Sequence, residues 1–303
     1  NLMQIMCGAY HSNLDVIEKQ LDVSLLPRGN LISILGKSEN ILITKNTLSK
    51  LYERAKSVKI LEEKDVEAII NFMKEHGKNN KKQSNDYKNY CIKVPKCTIF
   101  PRSKGQENLI KQISEKHLVF AIGPAGTGKT FLAVSHAISF LVSGMVDKIV
   151  ISRPAVEAGE KLGFLPGDFK QKVDPYLKPI YDSLYENLPN EKVLKLIENE
   201  KIEIAPIAYM RGRTLNNAYV ILDEAQNTSA VQMKMFLTRL GNNSKMVVTG
   251  DLTQIDLPNK QTSGLIDAEK NLKEISNISF VYLSEKDQVR HVLVTEIIKA
   301  YKK

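Results

Sequence analysis

An apolar run, Val119-Phe120-Ala121-Ile122, leads straight into Gly123-Pro124-Ala125-Gly126-Thr127-Gly128-Lys129-Thr130, and a helix-like pattern (Phe131, Leu132, Ala133, Val134, Ala137, Ile138) follows. A strand, a G-x-x-x-x-G-K-T loop and a helix in that order form the context of a phosphate-binding P-loop, and few features constrain a fold as tightly. Gly123, Gly126 and Gly128 let the backbone curl until successive N–H groups point inward at phosphate oxygens. Lys129 is then expected to reach the β- and γ-phosphates, and the Thr130 hydroxyl to sit on Mg²⁺. The helix that starts there adds its positive dipole end to the same anion site. The plain alternative is a glycine-rich turn with no ligand, but such a turn rarely carries Lys-Thr at this offset. Residues 123–130 are predicted to bind a nucleoside triphosphate.

The 303 residues give room for about two domains, and 43% hydrophobic with 25% charged residues is an ordinary balance that can bury a core. No apolar run approaches the ~20 residues of a membrane span, and the first residues lack a basic stretch followed by a long apolar one, so no secretion signal is expected. The first residue is Asn1, which leaves room for a true start further upstream. Cys7, Cys91 and Cys97 are too few and too scattered for a disulfide framework or a metal site, and read as thiols of a reducing cytoplasm. Net charge is +9; residues 78–104 hold eight basic side chains against Asp86, or +7 of it. Alone, such a segment is either a solvated linker or a phosphate-contacting strip.

Residues 1–76 are expected to form a small α+β module. Leu14, Val16, Ile17 and Leu21 suggest a helix or an edge element, and residues 31–36 alternate as a strand ending in a glycine turn. Helical spacing covers 38–56 and 65–76. Residues 77–95 open on a polar, charged run almost free of apolar side chains, which reads as a linker. From 96 to 303 the pattern changes to β-α alternation. Strands are predicted at 117–122, 148–152, 202–207, 218–222, 245–249 and 280–283, with helices at 130–141, 175–185, 230–240, 264–272 and 292–301. Near-continuous apolar strands suit a parallel sheet with helices on both faces, so this region is predicted as one α/β P-loop domain.

Tyr219-Val220-Ile221-Leu222-Asp223-Glu224 is an apolar strand ending in two acids. In a P-loop domain such a strand is expected beside the P-loop strand, with its carboxylates facing the same phosphates. Asp223 is placed to hold Mg²⁺, a hard cation that prefers oxygen ligands, and Glu224 to deprotonate the attacking water. The strand at 245–249 ends in Gly250-Asp251-Leu252-Thr253-Gln254, where Gln254 is positioned to hydrogen-bond the γ-phosphate and report its loss. Phosphoryl transfer also needs spread positive charge. Arg211 and Arg213 flank Gly212, Arg290 enters the last predicted helix, and Arg153 ends the second strand, where a polynucleotide backbone or a domain contact is expected. Gln106, just after Pro101-Arg102, offers an amide that matches the Hoogsteen side of adenine. No N-K-x-D guanine signature occurs, which favours ATP over GTP.

Taken together, these residues resemble the PhoH family of ATPases, whose core is similar to the first RecA-like domain of superfamily 1 helicases. The likeness covers residues 95–303. Its markers are Pro101-Arg102 with Gln106, the loop 123–130, Ser152-Arg153-Pro154-Ala155, Leu162-Gly163-Phe164-Leu165-Pro166-Gly167, Met210-Arg211-Gly212-Arg213-Thr214, Asp223-Glu224-Ala225-Gln226-Asn227 and Gly250-Asp251 with Gln254. The resemblance implies that Gln106 reads adenine, Gln254 senses the γ-phosphate and Arg290 is the helicase-like arginine. The N-terminal module is similar to the small KH-like domain of bacterial PhoH-like proteins without a nuclease, although it carries no G-x-x-G clamp.

About 80 residues follow Glu224, too few for a second RecA-like lobe or an appended nuclease. The expectation is therefore a homo-oligomer, a ring, in which Arg211, Arg213 or Arg290 reaches into a neighbour's site. The leading functional reading is a cytoplasmic ATPase that uses Mg²⁺ and acts on single-stranded RNA, with the basic segment then touching polyanion and a separate endoribonuclease as a candidate partner. The alternative is a slow nucleotide-dependent switch that regulates such a protein partner. A small-molecule kinase fits the strand ends less well.

Overall fold

The computed structural model describes residues 2–56, 61, 63–76, 91–154, 169–257 and 262–288, together with 293, 294, 297 and 300. The chain divides into two compact units, Asn1–Lys104 and Gly105–Lys303.

The first unit runs α1 (Leu2–Cys7), α2 (Ser12–Leu21), β1 (Val23–Arg28), β2 (Leu31–Gly36), α3 (Ser38–Ala55), α4 (Glu63–His76), β3 (Ile92–Lys93) and β4 (Thr98–Ile99). The 14–21 stretch is a helix, with Leu14, Ile17 and Leu21 on its buried side. β1 and β2 form an antiparallel hairpin from Val23↔Gly36 to Arg28↔Leu31. The two residues left over, Gly29 and Asn30, make the turn, with Gly29 in left-handed backbone at φ +60°. Ile17, Leu51, Val66 and Ile70 close the core without exposure. The linker expected over 77–95 lies outside the described residues up to 90. Beyond it, β3 and β4 form a hairpin. The adjoining segment is held to this unit by Arg54 donating to the Thr98 carbonyl and by Arg102 pairing with Asp65. That is why the unit boundary falls at Lys104 and not before residue 96.

The second unit contains α5 (Lys104–Glu115), β5 (Leu118–Ile122), α6 (Lys129–Val142), β6 (Lys148–Arg153), α7 (Phe169–Asn187), α8 (Asn190–Glu198), β7 (Ile202–Pro206), β8 (Ala218–Leu222), α9 (Ala230–Leu237), β9 (Lys245–Gly250), α10 (Gly264–Leu272) and β10 (Ile278–Tyr282). Six strands make one parallel sheet in the order β10-β5-β9-β8-β6-β7. This is a P-loop NTPase sheet, an α/β fold. Burial explains the order: β5 and β8 are buried at every residue and β9 at all but its first, whereas the edge strands β10 and β7 are mostly half-exposed. Phe120 and Phe280, register partners on β5 and β10, stack with centroids 4.4 Å apart. Phe120, Val220, Val248 and Phe236 lie in one hydrophobic core cluster of this unit.

One expectation is corrected here. β8, the strand ending in Asp223 and Glu224, does not lie beside the P-loop strand β5; β9 pairs with both and separates them. The acids therefore have to reach across the end of β9. α7 begins at Phe169, earlier than residue 175, and α8 was not anticipated. Of the helix expected at 292–301, residues 293, 294, 297 and 300 are described and are helical, and the Leu-Gly-Phe-Leu-Pro-Gly stretch lies outside the described residues.

Candidate functional site

β5 delivers the loop 123–130 to the carboxyl edge of the sheet, and the loop passes through left-handed backbone at Gly126 and Gly128 (φ +84° and +82°). Gly128 is the N-cap of α6, so Lys129 and Thr130 occupy the first helical turn, where unpaired N–H groups and the helix dipole favour an anion. The Lys129 ammonium is largely buried and donates to the carbonyls of Gly123 (2.6 Å) and Pro124 (2.9 Å). Three side chains brace the loop from outside. The buried Gln106 Nε2, on the first turn of α5, donates to the Thr127 carbonyl at 3.0 Å. Gln288 Nε2 donates to the Ala125 carbonyl at 3.3 Å, and the Ala125 N–H donates to Asp251 Oδ2 at 3.1 Å.

Opposite the loop stand the ends of β8, β9 and β6. Asp223 Oδ1 accepts from the Thr130 hydroxyl (2.7 Å) and from the Thr249 hydroxyl of β9 (2.6 Å). Thr249 thus carries the acid across the intervening strand. Arg153, at the end of β6, places Nη1 3.7 Å from Asp223 Oδ2 and Nη2 3.5 Å from Glu224 Oε1. Glu224 holds left-handed backbone at φ +53°, a conformation a non-glycine residue keeps only where its surroundings enforce it. Gln226, fully buried, supplies that enforcement. Its Nε2 donates to Glu224 Oε2 (2.5 Å) and to the Gln254 carbonyl (3.2 Å), while its Oε1 accepts from the Asp251 N–H (3.0 Å). The Gln254 side chain donates to Asp251 Oδ2 at 2.9 Å. Lys129, Thr130, Arg153, Asp223, Glu224, Asp251 and Gln254 line a cleft of about 320 Å³, with Gln226 and Thr249 buried behind it, at the strand carboxyl ends where open α/β sheets take ligands.

A hydroxyl and a carboxylate, Thr130 and Asp223, meet at one corner of the cleft, and both are hard oxygens of the kind a small divalent cation takes. Among the described residues no three His, Cys, Asp or Glu side chains converge as a metal site of their own. A cation here would therefore be held jointly with phosphate oxygens and water, as Mg²⁺ ordinarily is.

The family model described as PhoH-like protein matches residues 98–302. The chain belongs to the PhoH family. A PhoH-like protein of Bacillus subtilis (strain 168) is 48% identical over 298 residues, 98% of this chain and 92% of its own length. A PhoH-like protein of Synechocystis is 44% identical, covering 98% of this chain and 90% of its own. Protein PhoH of Escherichia coli (strain K12) is 46% identical over 67% of this chain and 58% of its own. Among solved structures, the Pif1 helicase of Candida albicans overlaps 60% of this chain and 39% of its own at 15% identity and a TM-score of 0.33, too distant to add to the fold.

As a PhoH-family P-loop NTPase, the chain gathers Lys129, Thr130, Asp223, Glu224 and Gln254 around one cleft, with Gln106 against the loop's back. Two anticipated arginines lie elsewhere. Arg213 makes a bidentate pair with Glu203 of β7 (2.5 and 2.7 Å), and its guanidinium holds that carboxyl below the usual range. Arg211 is exposed on the same turn and makes no ion pair among the described residues. Neither lines the cleft, and Arg290 lies outside the described residues. Conversely, Arg153, Asp251, Thr249 and Gln226 stand in the site with no role foreseen for them there. From sequence, Arg153 is expected at a polynucleotide or domain contact; in the structure it pairs with the two acids. The available signal is positional: Arg153, Thr249 and Asp251 sit at or just past the end of a strand neighbouring the acid strand, and Gln226 sits just past the acid strand itself.

Proposed function

We propose that the chain binds ATP with Mg²⁺ at residues 123–130 and hydrolyses it, in a cycle coupled to single-stranded RNA. The observation that carries this reading is the 2.7 Å bond from Thr130 to Asp223, which joins the P-loop and the acid strand into one oxygen-lined corner beside Lys129. Mg²⁺ bound there would neutralise charge on the β- and γ-phosphates. Lys129 would exchange its two carbonyl partners for phosphate oxygens. Glu224 would take a proton from water as the water oxygen bonds to the γ-phosphorus, the bridging bond breaks and ADP leaves with the bridging oxygen. Gln254 would hydrogen-bond the γ-phosphate and, through Asp251 and Gln226, register its loss. Gln106 is assigned adenine recognition by family resemblance, and the absence of an N-K-x-D motif favours ATP. RNA is supported by the +7 charge of residues 78–104, which suits a phosphate backbone.

A second reading, a slow nucleotide-dependent switch acting on a protein partner such as an endoribonuclease, draws on a different observation. Both Glu224 oxygens are already engaged, one by Arg153 and one by Gln226, so the base rests in a restrained state.

The test is ATP hydrolysis with and without single-stranded RNA, beside the Glu224→Gln variant. The variant should retain ATP and lose hydrolysis by roughly 10²- to 10⁴-fold, the range a general base supplies. RNA should stimulate the wild type. Unchanged hydrolysis in E224Q removes Glu224 from its role, and indifference to RNA favours the switch.

A further inference from the structure

Five charged side chains face the cleft: Lys129, Arg153, Asp223, Glu224 and Asp251. Lys129 donates to two loop carbonyls, and Asp251 accepts from the Ala125 N–H, the Thr253 N–H and hydroxyl, and Gln254. Asp223 Oδ1 accepts two hydroxyl protons, and Glu224 Oε2 accepts the Gln226 amide at 2.5 Å. Arg153 contributes in a different way. It bridges the outer oxygens of the two acids, Asp223 Oδ2 and Glu224 Oε1, at 3.7 and 3.5 Å. Charge-assisted hydrogen bonds lie nearer 2.7–2.9 Å, so these are coulombic pairs without full hydrogen bonds. The Arg153 side chain, which lines the cleft, keeps about a fifth of its surface exposed.

The oxygens that Arg153 covers are the ones hydrolysis needs. A cation at the Thr130–Asp223 corner competes with the guanidinium for the same carboxylate. A general base needs one oxygen open to water, and Oε2 of Glu224 is held by the shorter, neutral bond from Gln226. Oε1 is therefore the oxygen to be released, and Arg153 is the group that must leave it. A triphosphate entering the cleft brings several negative charges within reach of that same guanidinium, whose planar fork suits phosphate oxygens.

Resting on the ATP reading above, we propose that Arg153 exchanges partners during the cycle. It pairs with Asp223 and Glu224 in the nucleotide-free protein, and turns to the terminal phosphate when ATP and its cation bind. The turn frees Asp223 for the cation and Glu224 Oε1 for water. ADP, lacking that phosphate, leaves the pairs in place, so the residue makes both hydrolysis and the choice of ATP over ADP depend on one side chain.

The test compares wild type, Arg153→Gln and Arg153→Lys in two binding measurements that need no turnover. In the first, the nucleotide-free proteins are titrated with Mn²⁺ as the metal probe. Removing a competing cation at a half-screened pair should tighten Mn²⁺ binding in R153Q by roughly two- to tenfold, a gain that damage to the fold does not produce. In the second, ATP and ADP affinities are measured with E224Q as the common background. R153Q should lose the preference for ATP, and R153K should keep part of it. Mn²⁺ affinity unchanged or weakened in R153Q overturns the pairing, and an unchanged ATP-to-ADP ratio overturns the exchange. An E224Q protein with Arg153 intact that binds neither nucleotide would instead sink the ATP reading itself.

Discussion

His136 lies on α6 with its ring in the interior of the second unit, between Ser114 Oγ at 3.1 Å from Nε2 and Tyr219 Oη at 3.2 Å from Nδ1. Ser114 spends its own proton on the Ile110 carbonyl, so its oxygen accepts from Nε2–H. The Tyr219 phenol, kept protonated by burial, then donates to Nδ1. Burial first, and the nearby Lys245 charge second, push the imidazole pKa down to about 3. Unfolded, it titrates near 6.5. Below that pH the unfolded chain takes up a proton that the folded chain refuses. The stability His136 allows is thus complete above about pH 6.5 and is lost as pH falls toward about 3. At pH 5 the loss is about 2 kcal/mol. Denaturant unfolding at pH 7 and pH 5 should show it in the wild type and not in His136→Gln, and equal pH slopes would refute the assignment. At this scale the P-loop, the two acids and Gln254 were readable from spacing alone. Arg153, Asp251, Thr249 and Gln226 were not placed in the site because their roles depend on which strand ends are neighbours, and pairing across a parallel sheet leaves no mark in local sequence.

Between elements, the most exacting contact is made by Lys245 at the start of β9. Its ammonium donates to the carbonyls of Ile113, Ser114 and Lys116 at 2.8–2.9 Å and lies 5.6 Å from the Phe140 ring centroid. It therefore closes the C-terminal end of α5, the helix whose first turn carries Gln106. Lysine near a helix C-terminus satisfies orphan carbonyls and complements the dipole. Lys245→Met keeps the stem and removes the donors. It should cost about 2–3 kcal/mol and lower Tm by roughly 4–10 °C, and an unshifted melt would show that water replaces the ammonium without loss. The same variant should raise the His136 pKa, a coupling that NMR titration of the ring can read. Strongly periodic elements such as α6, β8 and α10 were legible because their apolar spacing is long or unbroken. β1 escaped notice because Ser24 and Pro27 interrupt a run of which only alternate residues are buried. α8 escaped because nine residues with one fully buried side chain, Val193, leave little period to detect.

For the whole molecule, the arginines decide whether one copy suffices. Arg213 is committed to Glu203 on the edge strand β7, and Arg211, exposed on the same turn, is not among the residues that line its own cleft. Tyr209 on that turn and Val231 on α9, which packs against it, are 58% and 79% exposed, an apolar accompaniment to a cation that a neighbouring surface would cover. If Arg211 serves ATP hydrolysis, it serves the cleft of another copy through a head-to-tail contact. Two consequences separate this from a site complete in one chain. ATP turnover per subunit should fall on dilution in step with dissociation measured by sedimentation. Arg211→Ala and Glu224→Gln, each inactive alone, should regain part of the wild-type rate when mixed, because an E224Q neighbour still offers Arg211 to the intact acids of an R211A copy. R153Q mixed with E224Q should recover nothing, since Arg153 and Glu224 face the same cleft and every mixed cleft lacks one of them. A dilution-independent rate with no recovery from the R211A mixture would leave Arg153 as the arginine of a self-sufficient site.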